Sequence, residues 1–128
     1  DWVTTINSTE GGSIFGEKKW EYLQGSLGVV LPSISEACSV TLLEAASLPK
    51  PIIVTENAVL SGMENEKSVI LVKSNIDSLT NGLKKLLEMN ISERKSLTDA
   101  LFSLISNNYD IQKTTDMITK TYYNILKI

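Results

Sequence analysis

Three stretches of the chain are apolar with almost no polar interruption: "LGVVLP" at 27–32, "PIIVT" at 51–55 and "SVILVK" at 68–73. Continuous Val/Ile/Leu runs of this length predict strands covered on both faces, as in a parallel sheet, where a half-exposed strand would alternate. Between and after these runs the period lengthens. "SVTLLEAASL" at 39–48 separates the first two strands by the span that a crossover helix needs. "NIDSLTNGLKKLLEMN" places Ile76, Leu79, Leu83, Leu86 and Leu87 on one helical stripe, and "SERKSLTDALFSLIS" does the same with Leu97, Leu101, Leu104 and Ile105. A final helix carries Ile118, Tyr122 and Ile125, and Ser74 and Ser92 stand where caps for two of the helices would be. Upstream, "EKKWEYLQGS" after Gly16 predicts a short amphipathic helix with Trp20 and Leu23 on its apolar face, "SIF" reads as a short strand, and "DWVTTINSTEGGS" reads as a loop or an edge segment. The order of elements predicts an α/β class, a Rossmann-like parallel sheet with flanking helices.

Composition narrows the class. With 128 residues, 42% hydrophobic and 21% charged, the chain has the size of one domain with a single core. A net charge of −3 and the lack of a dense Lys/Arg cluster argue against a nucleic-acid partner. No apolar run reaches the roughly 18 residues of a membrane span, and the first residues do not resemble a secretion leader. Cys38 is the only cysteine and there is no histidine, so an internal disulfide is excluded and a zinc site lacks its usual ligands. These features predict a cytoplasmic protein without a membrane span, in which the Asn-x-Ser/Thr matches at Asn7 and Asn90 carry no glycan.

In a parallel α/β sheet, ligands bind outside the carboxyl ends of the strands, where crossover loops vary and helix N-termini present free N–H groups. The loops "PSISEACS" and "ENAVLSG" both emerge at that end. Glu36 then lies in a loop at the mouth of a crevice, and Glu44 sits about a turn and a half into the following helix. Each has an ordinary structural reading. Ser33-Ile34-Ser35-Glu36 fits the Ser-x-x-Glu capping box, in which the acid only reaches back to a backbone N–H. Glu44 is flanked by Leu42, Leu43, Ala45 and Ala46, with no Lys or Arg three or four residues away to pair with it; it either faces solvent or has a ligand. Cys38 reads as a small apolar filler.

The same stretch, "GVVLPSISEACSVTLLEAASLPKPIIVT", resembles the donor-site signature of the retaining GT-B glycosyltransferases of group 1. In that family a strand ends in Pro-Ser, a Glu follows, a second Glu comes later within Leu-Leu-Glu-Ala, and Lys-Pro opens the next strand. Pro32, Ser33, Glu36, Leu42, Leu43, Glu44, Ala45, Lys50 and Pro51 match in order. Weaker likeness extends from Phe15-Gly16 to the last helix, where Tyr109 and the Tyr123–Leu126 stretch stand as in family members.

The resemblance implies a retaining glycosyltransferase of the hexosyltransferase type, which moves a sugar from a nucleoside-diphosphate sugar to an acceptor hydroxyl of a glycan or lipid-linked acceptor, in polysaccharide or glycoconjugate synthesis. It implies that Glu36 is the catalytic-site carboxylate that positions the donor sugar. Glu44 would accept hydrogen bonds from the ribose hydroxyls. The backbone N–H groups of Ala37, Cys38, Ser39, Val40 and Thr41 would hold sugar and diphosphate oxygens, and Phe15 and Gly16 would border the nucleobase. No Asp-x-Asp occurs, matching the usual metal independence of that fold, so neither a cofactor nor a metal is expected. Residence in the cytoplasm extends to peripheral placement at the inner membrane face.

Departures from the family pattern are specific. Ala37, Ser39 and Ala58-Val59 stand where family members often have glycines, and no Arg/Lys pair precedes Ile14 to clamp the diphosphate; the only arginine is Arg94. The chain thus reads as the C-terminal, nucleotide-sugar-binding portion of a longer enzyme, with the N-terminal acceptor domain missing, and is expected to be inactive alone. The alternative is a non-catalytic Rossmann-like interaction module that has lost substrate binding. That alternative gains if Glu44 is held in a salt bridge, or is solvated with no crevice beside it.

Overall fold

The computed structural model describes residue 14 and residues 16–64 and 67–126. The expected "SIF" strand, the opening loop and Phe15 therefore lie outside the described residues, apart from Ile14. Among the described residues, three parallel strands form one sheet: β1 (Val29–Leu31), β2 (Ile52–Thr55) and β3 (Ile70–Val72), in the order β1-β2-β3. The register pairs Val29 with Ile52 and Leu31 with Val54, then Ile53 with Ile70 and Thr55 with Val72. β2 is buried at all four positions, while β1 is half-buried at all three. The strands are shorter than the apolar runs that announce them. Pro32 and Pro51 bound two of them because proline has no N–H for a ladder, and the Pro51 carbonyl instead accepts from Val29 N at 2.9 Å.

The described residues also form five helices: α1 (Glu17–Gly25), α2 (Val40–Ala46), α3 (Ile76–Glu88), α4 (Ile91–Asn108) and α5 (Ile111–Leu126). The period-2 geometry of β2 divides the core. Ile52 and Val54 point to one face, where they meet Leu42, Ala45, Met63 and Leu101; Ile53 points to the other and meets Ile70, Val72, Leu86 and Leu97. α3 lies close on this second face. A Cβ on Gly82 would stand 2.6 Å from Val72 Cγ1 and 3.3 Å from Ile53 Cγ2, so only glycine lets the helix approach the strands this closely.

The helical stripes are present but only partly covered. On α3, Leu86 is buried and Leu79 and Leu83 half-buried, whereas Ile76 and Leu87 are exposed. A three-residue strand is about 10 Å long and a thirteen-residue helix about 20 Å, so the helix ends overhang the sheet. On α4, Leu97 and Leu101 are buried, and Leu104 and Ile105 pack on the core. The α5 stripe of Ile118, Tyr122 and Ile125 is exposed, and that helix has no buried residue. The caps also differ from expectation. Asn75, not Ser74, caps α3 by accepting from Ser78 N. Asn90, not Ser92, caps α4 in a reciprocal box with Glu93, because the acid must stand three residues after the cap. No helix among the described residues is long and apolar enough to cross a membrane.

Candidate functional site

Because the strands are parallel, the segments after β1 and β2 leave the sheet at the same end. Two hydrogen bonds tie them together. Thr55, at the end of β2 and 1% exposed, donates its hydroxyl to the Ser33 carbonyl, and Glu36 N donates to the Asn57 carbonyl at 3.3 Å. Glu56 N in turn donates to the Val72 carbonyl at 2.9 Å, which fastens the second loop to β3. The loop carrying Glu36 is thus held in place from the central strand.

Glu36 is exposed, and its carboxylate accepts from the Ser33 hydroxyl at 2.9 Å. No helix begins there. α2 starts at Val40 and is capped by Ser39, whose Oγ accepts from Leu42 N at 3.2 Å. The capping-box reading of Ser33 and Glu36 therefore fails, since the cross-loop bonds hold this stretch out of helical geometry. Ala37, Cys38, Val40 and Thr41 are exposed beside Glu36. Ser39 differs: the residue is 6% exposed and its hydroxyl is committed to the helix start.

Glu44 lies on the same helical face as Val40 and Thr41, one turn on. Its Oε1 accepts from Lys19 Nζ at 2.6 Å in an ion pair whose side chains are 30% and 22% exposed, respectively. Its Oε2 accepts no further hydrogen bond among the described residues. The partner comes from α1, 25 residues away in sequence, and no local spacing could have signalled it. Lys19 is also held over the Trp20 ring, 5.2 Å from its centroid. The ion-pair condition for the interaction-module reading is met. No contact joins Glu36 directly to Glu44; they are brought to one end of the sheet by separate elements.

The rest of the motif has structural duties. Lys50 Nζ donates at 2.8 Å to the carbonyl of Ser26, the residue that ends α1. This bond neutralises the negative end of that helix and fixes it relative to β2. Gly16, exposed at the start of α1, has φ +64, a backbone conformation suited to glycine. Tyr109, the residue after α4, donates its hydroxyl to the Ser61 carbonyl at 3.2 Å. Its pKa is raised, first by desolvation and then by the negative charges of Cys38 and Glu64. Lys19, Thr55 and Tyr109 were not singled out as site residues from sequence because their roles depend on contacts between distant segments.

Residues 11–101 match the family described as glycosyl transferases group 1. No curated protein sequence matches the chain. Among solved structures, a glycosyltransferase from Rickettsia africae is similar over 82% of this chain and 29% of its own, with 21% identity and a TM-score of 0.73. A sucrose-phosphate synthase from Thermosynechococcus elongatus is similar over 91% of this chain and 29% of its own, with 18% identity and a TM-score of 0.78. The C-terminal domain of a group 1 glycosyl transferase from Francisella tularensis is similar over 78% of this chain and 52% of its own, with 18% identity and a TM-score of 0.65. At these identities the likeness is one of fold. The chain spans less than a third of the first two of those proteins.

Proposed function

We propose, since this chain belongs to the group 1 glycosyl transferases, that it is the C-terminal, donor-binding portion of a retaining enzyme that transfers a sugar from a nucleoside-diphosphate sugar to an acceptor hydroxyl. The observation that carries this reading is the pair of carboxylates at the carboxyl ends of the parallel strands: Glu36 on an exposed loop fastened to β2, and Glu44 on α2, whose Oε2 has no hydrogen bond among the described residues. Ligands of open α/β folds bind at that end. Glu44 accepts from the ribose hydroxyls, and Glu36 orients the sugar at the reacting carbon. Backbone N–H groups from Ala37 to Thr41 donate to sugar and diphosphate oxygens. Gly16 and Phe15 border the base.

In the reaction, the bond between the sugar's anomeric carbon and the diphosphate breaks, the acceptor oxygen bonds to that carbon on the same face, and the nucleoside diphosphate leaves. The acceptor is held by an N-terminal domain, and the basic pair that stabilises the leaving diphosphate belongs to the first strands of the donor domain, both outside this chain. The reading requires no metal. It places the protein in the cytoplasm, peripherally at the inner membrane face where the acceptor is lipid-linked, in polysaccharide or glycoconjugate synthesis.

A second reading, an interaction module that no longer binds substrate, is favoured by the Lys19–Glu44 ion pair, because it gives the carboxylate a partner without any ligand. Calorimetric titration of the complete polypeptide with nucleoside diphosphates separates the two. Glu44→Gln weakens binding by about 1.5–3 kcal/mol on the donor reading, the size of a hydrogen bond to a charged group. Unchanged affinity would transfer the case to the second reading.

A further inference from the structure

Lys19 is charged, half-buried and directed at the carboxylate that the donor reading assigns to ribose, 2.6 Å from Glu44 Oε1. A pair this exposed contributes only about 0.2–1 kcal/mol to folding in typical cases, so stability gives the lysine little reason to be there. Its placement is nevertheless defined on two sides, by the carboxylate and by the Trp20 ring. We propose that Lys19 and Glu44 act together as a clamp for the vicinal diol of a ribonucleotide, Glu44 accepting from a hydroxyl and Lys19 donating to a hydroxyl oxygen. This inference rests on the donor reading of the site.

The chemistry of the two groups supports it. A hydroxyl is both donor and acceptor, whereas a carboxylate only accepts, so Glu44 alone satisfies half of what a buried diol offers. An ammonium carries three donors. One is spent on Glu44 Oε1, which leaves two on the same nitrogen for a hydroxyl oxygen bound at this carboxylate. The ion pair also fixes the Glu44 side chain before ligand arrives, which removes part of the ordering cost of binding. Lastly, it offsets the charge of Glu44, which would otherwise add to that of Glu36 and repel an anionic diphosphate.

The clamp acts through the ribose hydroxyls, so its signature is discrimination between a ribonucleotide and its 2′,3′-dideoxy counterpart. The complete polypeptide is titrated calorimetrically with ADP, GDP, UDP and CDP, and with the dideoxy form of the tightest binder. Lys19→Met is expected to weaken the ribonucleotide about fivefold to tenfold, the effect of about one hydrogen bond, and to leave the dideoxy form unchanged. Lys19→Arg, which keeps the donors, restores most of the loss. Equal effects of Lys19→Met on both ligands, or no effect on either, would overturn the clamp. If Lys19→Met fails to fold, Lys19→Arg and the wild-type ribo-to-dideoxy ratio decide, and a wild type that binds both forms equally overturns it. The donor reading itself fails differently: Glu44→Gln then leaves ribonucleotide affinity intact, or no nucleoside diphosphate binds the wild type. Loss on Glu44→Gln with none on Lys19→Met sinks the clamp alone.

Discussion

The Ser33 hydroxyl and the Glu36 carboxylate are bonded side chain to side chain at 2.9 Å in a stretch that is not helical. Their spacing is that of a capping box, yet they cap nothing. The bond orients an exposed carboxylate at the end of the sheet, and on the proposed donor reading that carboxylate positions a ligand. Ser33→Ala is therefore expected to change stability by less than about 0.5 kcal/mol, as surface substitutions do. It should weaken a nucleoside-diphosphate sugar more than the matching nucleoside diphosphate, since Glu36 is assigned to the sugar. Equal loss for both ligands would detach Glu36 from that assignment.

Thr55 connects the core to the same loop. Its hydroxyl, on a side chain buried among strands, donates to the Ser33 carbonyl. Valine keeps the shape and removes the donor, so Thr55→Val should cost about 0.5–1.5 kcal/mol in urea denaturation, the net worth of one hydrogen bond. Thr55→Ser should keep the bond. A Thr55→Val protein as stable as wild type would mean that the loop is held without it.

Tyr109 offers a titration. Its pKa is raised above the ordinary value of 10.0, by desolvation first and by the charges of Cys38 and Glu64 next. The folded state therefore keeps this proton more firmly than the unfolded chain does. The contribution is fully present below pH 10 and is lost as pH rises through the folded value, so stability falls on that alkaline side. In an absorbance titration Tyr109 should ionise above the ordinary value of 10.0. Tyr109→Phe should remove absorbance change from above that value; if the change it removes lies at or below 10.0, the tyrosine is not desolvated beside these loops.

What was legible in the sequence follows from which forces are local. The three Val/Ile/Leu runs announced a parallel sheet because burial on both faces leaves no room for polar alternation, and β2 is indeed buried at every position. Glu44 stood out for a similar reason, as a carboxylate in apolar company. Its partner Lys19 did not, because that contact depends on how α1 and α2 pack, not on spacing along one helix. Ser74 against Asn75, and Ser92 against Asn90, could not be separated by capping preference, since serine and asparagine cap almost equally well. Only the Glu93 spacing favoured Asn90. On α5 the periodicity located an apolar stripe correctly, but a stripe does not say what covers it, and Ile118, Tyr122 and Ile125 are exposed.

The central claim, that the carboxyl end of this sheet receives the donor nucleotide, is tested most directly by a crystal structure of the complete polypeptide with a bound nucleoside diphosphate. The account predicts ribose hydroxyls at hydrogen-bond distance, about 2.7–3.2 Å, from the Glu44 carboxylate, with the diphosphate against the backbone of residues 37–41. A nucleotide bound elsewhere, with Glu44 still paired only to Lys19, would contradict it.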